Sequence, residues 1–297
     1  AKRDQKAEQW TGTRLSLEDP VQQITGIQDI RSFDSLSGDL KKLKSRKQAD
    51  LKKLLAPLRM QKSAAELAIM QQAIQASIAA HRASWSAIQP GKYEYQIANT
   101  MSSIYRDLGC QRNAYPPIVG SGPNATILHY SKNTRRMDAG EMVLMDVGAE
   151  CDHYAADITR TVPVNGKFTD RQLELYNAVL AARNAVMAAA KPGVTIRELR
   201  QVALDSLNAN RKNLGKYMIH GVSHHIGLDV HDLAENDVPL RPGAVITVEP
   251  GVYLPRENIG IRIEDMVLIT ETQAKVLTAE LPVEADAIER AMQHKAP

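Results

Sequence analysis

From Ser63 onward the hydrophobic and polar positions fall into an order of helices and strands that occurs twice. Ser63 and Glu66 form an S-x-x-E capping box, in which each side chain can bond a free backbone N–H of the first turn. The spacing predicts a helix from there to about Ile88, stopped by Gln89-Pro90-Gly91. A second helix is predicted over 93–108, ended by Gly109, and alternating, β-branched segments follow from about Pro117 to Val164. The order then returns. Thr169 caps a helix predicted over 170–190, which stops at Lys191-Pro192-Gly193. Thr195 and Glu198 make another capping box, opening a helix to about Leu214. The strand-like segments VITVEPGVYL and IRIEDMVLIT close the series.

The two Pro-Gly breaks, Pro90 and Pro192, lie 102 positions apart. Asp146 and Glu249, each late in an apolar strand, lie 103 apart, and Asp157 and Glu264 lie 107 apart. A repeat that long means a duplicated domain rather than a solenoid. The prediction is an α+β fold: two ααββ halves sharing a curved, continuous antiparallel sheet, covered by helices. A site at the seam would draw its residues from both halves.

Residues 1–62 follow another pattern. A short strand is predicted over Val21–Thr25, followed by the Lys-rich stretch SGDLKKLKSRKQADLKKLLAPL. Its Leu40, Leu43, Leu51, Leu54 and Leu55 have helical spacing, broken by Pro57. This reads as an incomplete domain with a linker helix over 1–62, preceding a catalytic domain over 63–297. The Lys run itself reads as a solvated helix face.

Charge and composition narrow the function classes. The 37 basic and 34 acidic residues leave a net charge of +3, which gives no case for nucleic-acid binding. No apolar run is long enough to span a membrane. The two cysteines, Cys110 and Cys151, lack C-x-x-C spacing, so neither a disulfide framework nor a structural zinc site is expected. That usage suits a reducing compartment and a cytoplasmic address. The polar opening AKRDQKAEQW is no signal peptide, and it leaves export open.

The candidate chemistry lies in acidic residues at apolar strand ends and in a histidine cluster. Asp146 ends the strand-like MVLMD, directly before Val147 and Gly148. Asp157 in YAADITRTVPV shares a strand face with Thr159 and Thr161. Glu249 ends a β-branched run before Pro250, with Thr247 on its face; Glu264 shares a face with Arg262. A carboxylate in such a place is costly unless it is paired or metal-bound. Singly, each aspartate reads as a turn or cap, and Arg262 with Glu264 reads equally as a buried ion pair. The segment 220–232, HGVSHHIGLDVHD, holds four histidines; the clustering points to chemistry without saying which one binds metal. Four carboxylates with one imidazole suit Mn²⁺, and tolerate Co²⁺ or Zn²⁺, better than a thiolate site would.

These motifs resemble the pita-bread (creatinase/aminopeptidase) metallopeptidases, from about Ser63 to Met292. HGVSHHIGLDVHD, VEPGVYL and GIRIED look most like aminopeptidase P, with prolidase close behind. RDQKAEQWTGTRL, with Arg3, Asp4, Glu8, Trp10, Gly12 and Arg14, resembles a segment midway through that family's N-terminal domain. The resemblance implies two divalent metal ions held by Asp146, Asp157, His224, Glu249 and Glu264. It places His129 near the substrate and His220 and His231 beside the metals. The implied activity is release of an N-terminal residue that precedes proline, with proline-containing peptides as substrates. Glu249 would carry the proton, His231 and His220 would stabilise developing charge, and Arg262 would orient a ligand carboxylate. A homo-oligomer, dimer or tetramer, is expected, with neither nucleic acid nor membrane as partner. The alternatives are a prolidase restricted to Xaa-Pro dipeptides and a non-catalytic pita-bread binding protein.

Overall fold

In a computed structural model, residues 26, 35–43, 50–209, 213–235 and 237–293 are described. The chain divides into two compact units, 1–50 and 51–297. In the first unit, helix α1 (Leu36–Leu43) carries Asp39 in its opening turn, where Ser35 Oγ donates to Asp39 Oδ2 at 3.0 Å. The strand expected over Val21–Thr25 and the motif residues from Arg3 to Arg14 lie outside the described residues.

The second unit opens with α2 (Leu51–Met60), which runs through Pro57 rather than breaking at it. The proline removes one helical hydrogen bond, while Ala56 and Met60 are buried on the helix's inner side. Helices α3 (Ala64–Ala87) and α4 (Glu94–Asp107) follow at the expected places. The first half then holds strands β1 (Arg112–Asn113), β2 (Ile118–Ser121), β3 (Met142–Val147), β4 (Ala149–Cys151), β5 (Tyr154–Ala155) and β6 (Ile158–Pro163). The second half repeats the order. It runs from α5 (Asp170–Ala189) and α6 (Ile196–Asn208) to β7 (Val245–Val248), β8 (Gly251–Leu254), β9 (Ile259–Arg262), β10 (Asp265–Ile269) and β11 (Ala274–Val276). Helix α7 (Ala285–Gln293) follows these strands.

The caps form as read, and Thr169, expected only as a cap, completes a box with Gln172. Ser63 with Glu66, Thr169 with Gln172, and Thr195 with Glu198 each satisfy two free N–H groups reciprocally, worth about 1 kcal/mol per cap. Helix α6 ends at Asn208, short of the expected Leu214. There the Asn208 side chain turns back to accept from Gly215 N, and Asn213 sits in the left-handed region.

Among the described residues all strand pairs are antiparallel, but the sheet is not one continuous ladder. It comprises the groups β2-β3-β6, β1-β4-β5, β11-β10-β7 and β8-β9. The two halves are stitched at a seam, where Glu264 N donates to Thr159 O at 3.0 Å and Thr161 Oγ1 donates to Arg262 O at 2.9 Å. Helix α3 packs on β4–β6 and α5 on β7–β9, with Met70, Ile74, Trp85, Met145 and Val179 fully enclosed between the layers.

The cysteine reading needs correction. Cys110 and Cys151 form a disulfide across 4.4 Å between Cα atoms. Spacing along the chain could not show it, because β1 pairs with β4 and brings positions 41 apart side by side.

Candidate metal centre

Strand register places the acids. In the β3–β6 ladder Asp146 lies opposite Thr159, so Asp157 projects from the edge of the same pair. In the β7–β10 ladder Val248 lies opposite Asp265, which sets Glu249 and Glu264 at its mouth. The duplicated halves thus deliver two carboxylates each to the seam. Gly148 keeps the crossing tight: an added Cβ would collide with the Ala156 carbonyl.

Asp146, Asp157, His224, Glu249 and Glu264 all line one cavity of about 380 Å³, together with His129, His220, His231 and Arg262. The nine residues singled out from sequence therefore converge on one space. Asp157, His224 and Glu264 offer ligand atoms within 4.8 Å of one another, a spacing able to hold a metal ion. His224 Nε2 lies 3.4 Å from Asp157 Oδ2 and 3.5 Å from Glu249 Oε1. Its Nδ1 donates to the His225 carbonyl at 3.1 Å, which fixes the ring and leaves Nε2 facing the acids.

The carboxylates press on one another. Burial, joined by neighbouring Asp157, pushes Asp146 up to about 6 against the opposing pull of Arg262. Burial, with Asp157 and Asp146 nearby, pushes Glu249 up to about 7. Glu264 is 1% exposed and is pushed well above the usual carboxylate range by burial and by the same neighbours. Asp157 goes the other way. Burial works against it, but the His224 imidazole holds it below its ordinary value, and His224 in turn rises to about 9. Four acids gathered this closely call for positive charge. The donor set, hard oxygens with one imidazole nitrogen, fits divalent cations of the manganese, cobalt or zinc kind.

A surrounding set of hydrogen bonds fixes the ligand candidates. Arg262 donates from Nη2 to Asp146 Oδ2 at 2.5 Å, from Nη1 to the Tyr253 hydroxyl at 2.6 Å, and from Nε to Thr159 Oγ1 at 3.1 Å. Thr159 Oγ1 donates to Glu264 Oε2 at 2.6 Å. Arg262 thus serves Asp146, while its sequence neighbour Glu264 takes a hydroxyl instead of a guanidinium. Next to Glu264, the buried Asp265 is held by Arg160 and Arg183, both at 2.7 Å.

Comparison with known proteins follows the same lines. The model of metallopeptidase family M24 matches residues 68–271. The chain belongs to this family. It is 37% identical over 295 residues to the mitochondrial intermediate cleaving peptidase 55 of Arabidopsis thaliana, covering 92% of this chain and 58% of that protein. It is 32% identical to the Xaa-Pro aminopeptidase of Haemophilus influenzae, covering 98% of this chain and 80% of the relative. The structure of Escherichia coli aminopeptidase P with the inhibitor Pro-Leu superposes with a TM-score of 0.88 at 30% identity, over 99% of this chain and 81% of that one. The fold is the pita-bread fold of the M24 peptidases.

Two tyrosines of this M24 site escaped the sequence reading. Tyr115 brings its hydroxyl within 2.6 Å of Asp146 Oδ1 and 2.5 Å of Asp157 Oδ1, joining ligand candidates from two strands. Tyr253 links Arg262 to His220, whose Nε2 lies 2.8 Å from its hydroxyl. Tyr253 shares the alternating face of Gly251 and Glu249, a signal that was there to use. Tyr115 lies in the irregular AYPP segment, where no periodicity marks a face.

Proposed function

We propose that this chain carries a metal-dependent exopeptidase activity that hydrolyses the bond between an N-terminal residue and a following proline. The observation that carries the reading is the convergence of four carboxylates and His224, drawn from both halves of a duplicated fold, on one open cavity. The chain spans 58% of the Arabidopsis relative and 80% of the Haemophilus one, so the activity of the whole protein is part of the proposal.

Asp146, Asp157, His224, Glu249 and Glu264 would hold two divalent cations, with Mn²⁺ the best match to hard oxygen donors. Bound there, the cations would supply a water activated for attack and a polarised scissile carbonyl. The remaining work falls to side chains of the chain itself. Glu249, deprotonated while it ligates, would take a proton from the attacking water and pass it to the departing proline nitrogen. His231 is exposed at the cavity edge and meets His224 edge-on with ring centroids 4.3 Å apart, a place from which its ring can donate to developing oxyanion charge. His220 is engaged on both nitrogens, donating from Nδ1 to Gly221 O and accepting from Tyr253 at Nε2. It would therefore act by orienting the Tyr253 hydroxyl. His129 and Leu128 also line this cavity, where the peptide would lie.

The test is hydrolysis of an Xaa-Pro-Xaa tripeptide, an Xaa-Pro dipeptide and a proline-free tripeptide, each with and without Mn²⁺. Mn²⁺-dependent release of the first residue from the proline tripeptide is expected. Cleavage of the dipeptide alone would transfer the assignment to prolidase. Cleavage of the proline-free peptide at an equal rate would remove the proline requirement.

A further inference from the structure

His231 has no hydrogen bond of its own among the described residues, yet it sits within ring contact of His224. Its place must come from the backbone that carries it. That backbone is anchored at the next residue. The Asp232 side chain is 1% exposed, and the Lys62 ammonium, equally buried, lies 3.3 Å from Asp232 Oδ2. Arg59 Nη2 pairs with Asp232 Oδ1 and also reaches Asp229 Oδ2 at 2.8 Å. Lys62 Nζ donates back to Arg59 O at 2.7 Å, so the two cations form one unit.

Both ends of this unit are tied down by hydrogen bonds. On the cation side, Lys62 N donates to Gly243 O at 2.8 Å and Gln61 Nε2 donates to Pro242 O at 2.9 Å, tying the end of α2 to the approach of β7. On the loop side, Asp232 N donates to His225 O at 2.9 Å, closing the segment that begins beside His224. Ala155 N donates to Gly227 O at 2.8 Å and fastens that segment to β5. Gly227 faces the clamp directly: an added Cβ would collide with Asp232 Oδ2 and would lie 2.8 Å from Lys62 Cε.

Taking Lys62 and Asp232 out of water is costly, and apolar side chains of similar volume commonly stabilise such a place as well or better. The burial itself lowers the Lys62 pKa, despite the carboxylate beside it. Stability alone therefore gives little reason for the arrangement, whereas fixing a loop in one register does.

We propose that Lys62 and Arg59 are positioning residues, a cationic clamp on Asp232 that holds His231 at the edge of the metal cavity. The reaction it serves is the one proposed above. The segment just ahead of the first catalytic-domain helix thereby sets the geometry of a loop that begins some 160 residues later.

A double-mutant cycle with a structural readout tests the clamp. In the metal-loaded full chain, Lys62→Met is expected to lower kcat about tenfold, with KM and bound metal unchanged. Lys62→Arg should recover most of the loss. In a His231→Ala background the same Lys62→Met change should cost less than about twofold, because the group being positioned is gone. An equal loss in both backgrounds would mark a general structural role and overturn the proposal. Hydrogen exchange over residues 225–233 should speed up in Lys62→Met, and unchanged protection there also overturns it. Should Lys62→Met not fold, Arg59→Gln and Gly227→Ala carry the same cycle. Wild-type silence on every peptide would count against the proposed activity, and the clamp would then stand or fall on the exchange result alone.

Discussion

At the scale of single residues, the site depends on carboxylates kept close by groups that are not themselves ligand candidates. Asp157 is central, with His224 and Glu264 inside metal-holding distance. Asp157→Asn keeps the volume but loses a charge, and it should cost at least one bound metal and about 100-fold or more in turnover. Metal analysis of the purified variant decides it, and full loading with full turnover would sink the ligand assignment. Tyr115 allows a finer test. Its hydroxyl lies within hydrogen-bond reach of both Asp146 and Asp157 and links the two carboxylates. Tyr115→Phe leaves the two acids facing each other without that link. It should raise the Mn²⁺ dissociation constant about tenfold, as loss of an outer partner commonly does. Titration calorimetry on metal-free protein measures this; an unchanged constant would show that Tyr115 only fills space.

At the scale of elements, legibility tracked how local the cause was. The caps at Ser63, Thr169 and Thr195 involve residues three apart, and all three appeared as read. The paired acids were visible because duplication sets Asp146 and Glu249 at matching strand ends. What stayed hidden is set by pairing across the fold. Arg262 turns to Asp146, 116 positions away, rather than to its neighbour Glu264, and Asp232 finds its partners 170 positions upstream in Lys62 and near it in Arg59. The disulfide belongs to the same class, since only the β1–β4 register brings Cys110 to Cys151. Closing that loop restricts the unfolded chain, so Cys110→Ser should lower stability by about 2–4 kcal/mol. Denaturant unfolding with and without reductant checks it, and identical midpoints would show that the pair is not oxidised in the folded protein. A cytoplasmic address and an oxidised pair make opposite demands. Mass mapping under non-reducing conditions, on protein trapped with a thiol-blocking reagent in its native cells, separates them.

At the scale of the whole molecule, folding concentrates acid at the seam and leaves a cation to relieve it, which couples metal, protons and stability. In the metal-free protein His224 rises to about 9, Glu249 to about 7 and Asp146 to about 6. All three are raised above their unfolded values, near 6.5, 4.3 and 3.9. Each therefore contributes stability that is fully present below its unfolded value and is lost as pH climbs through its folded one. Raising pH from about 5.5 to 8.5 should thus erode this part of the metal-free protein's stability. Metal acts in the opposite sense, because it binds the deprotonated ligands and its affinity grows as those protons leave. The melting-temperature gap between Mn²⁺-loaded and EDTA-treated protein should therefore widen steadily across that range. His220 and His225, both lowered to about 4 chiefly by burial, are neutral throughout it and drop out of the difference. Calorimetry in two buffers of different ionisation enthalpy adds a direct reading, with net proton release on Mn²⁺ binding at pH 6.5. A gap that narrowed with pH, or binding that took up protons, would mean that these raised groups are not the ones the metal meets.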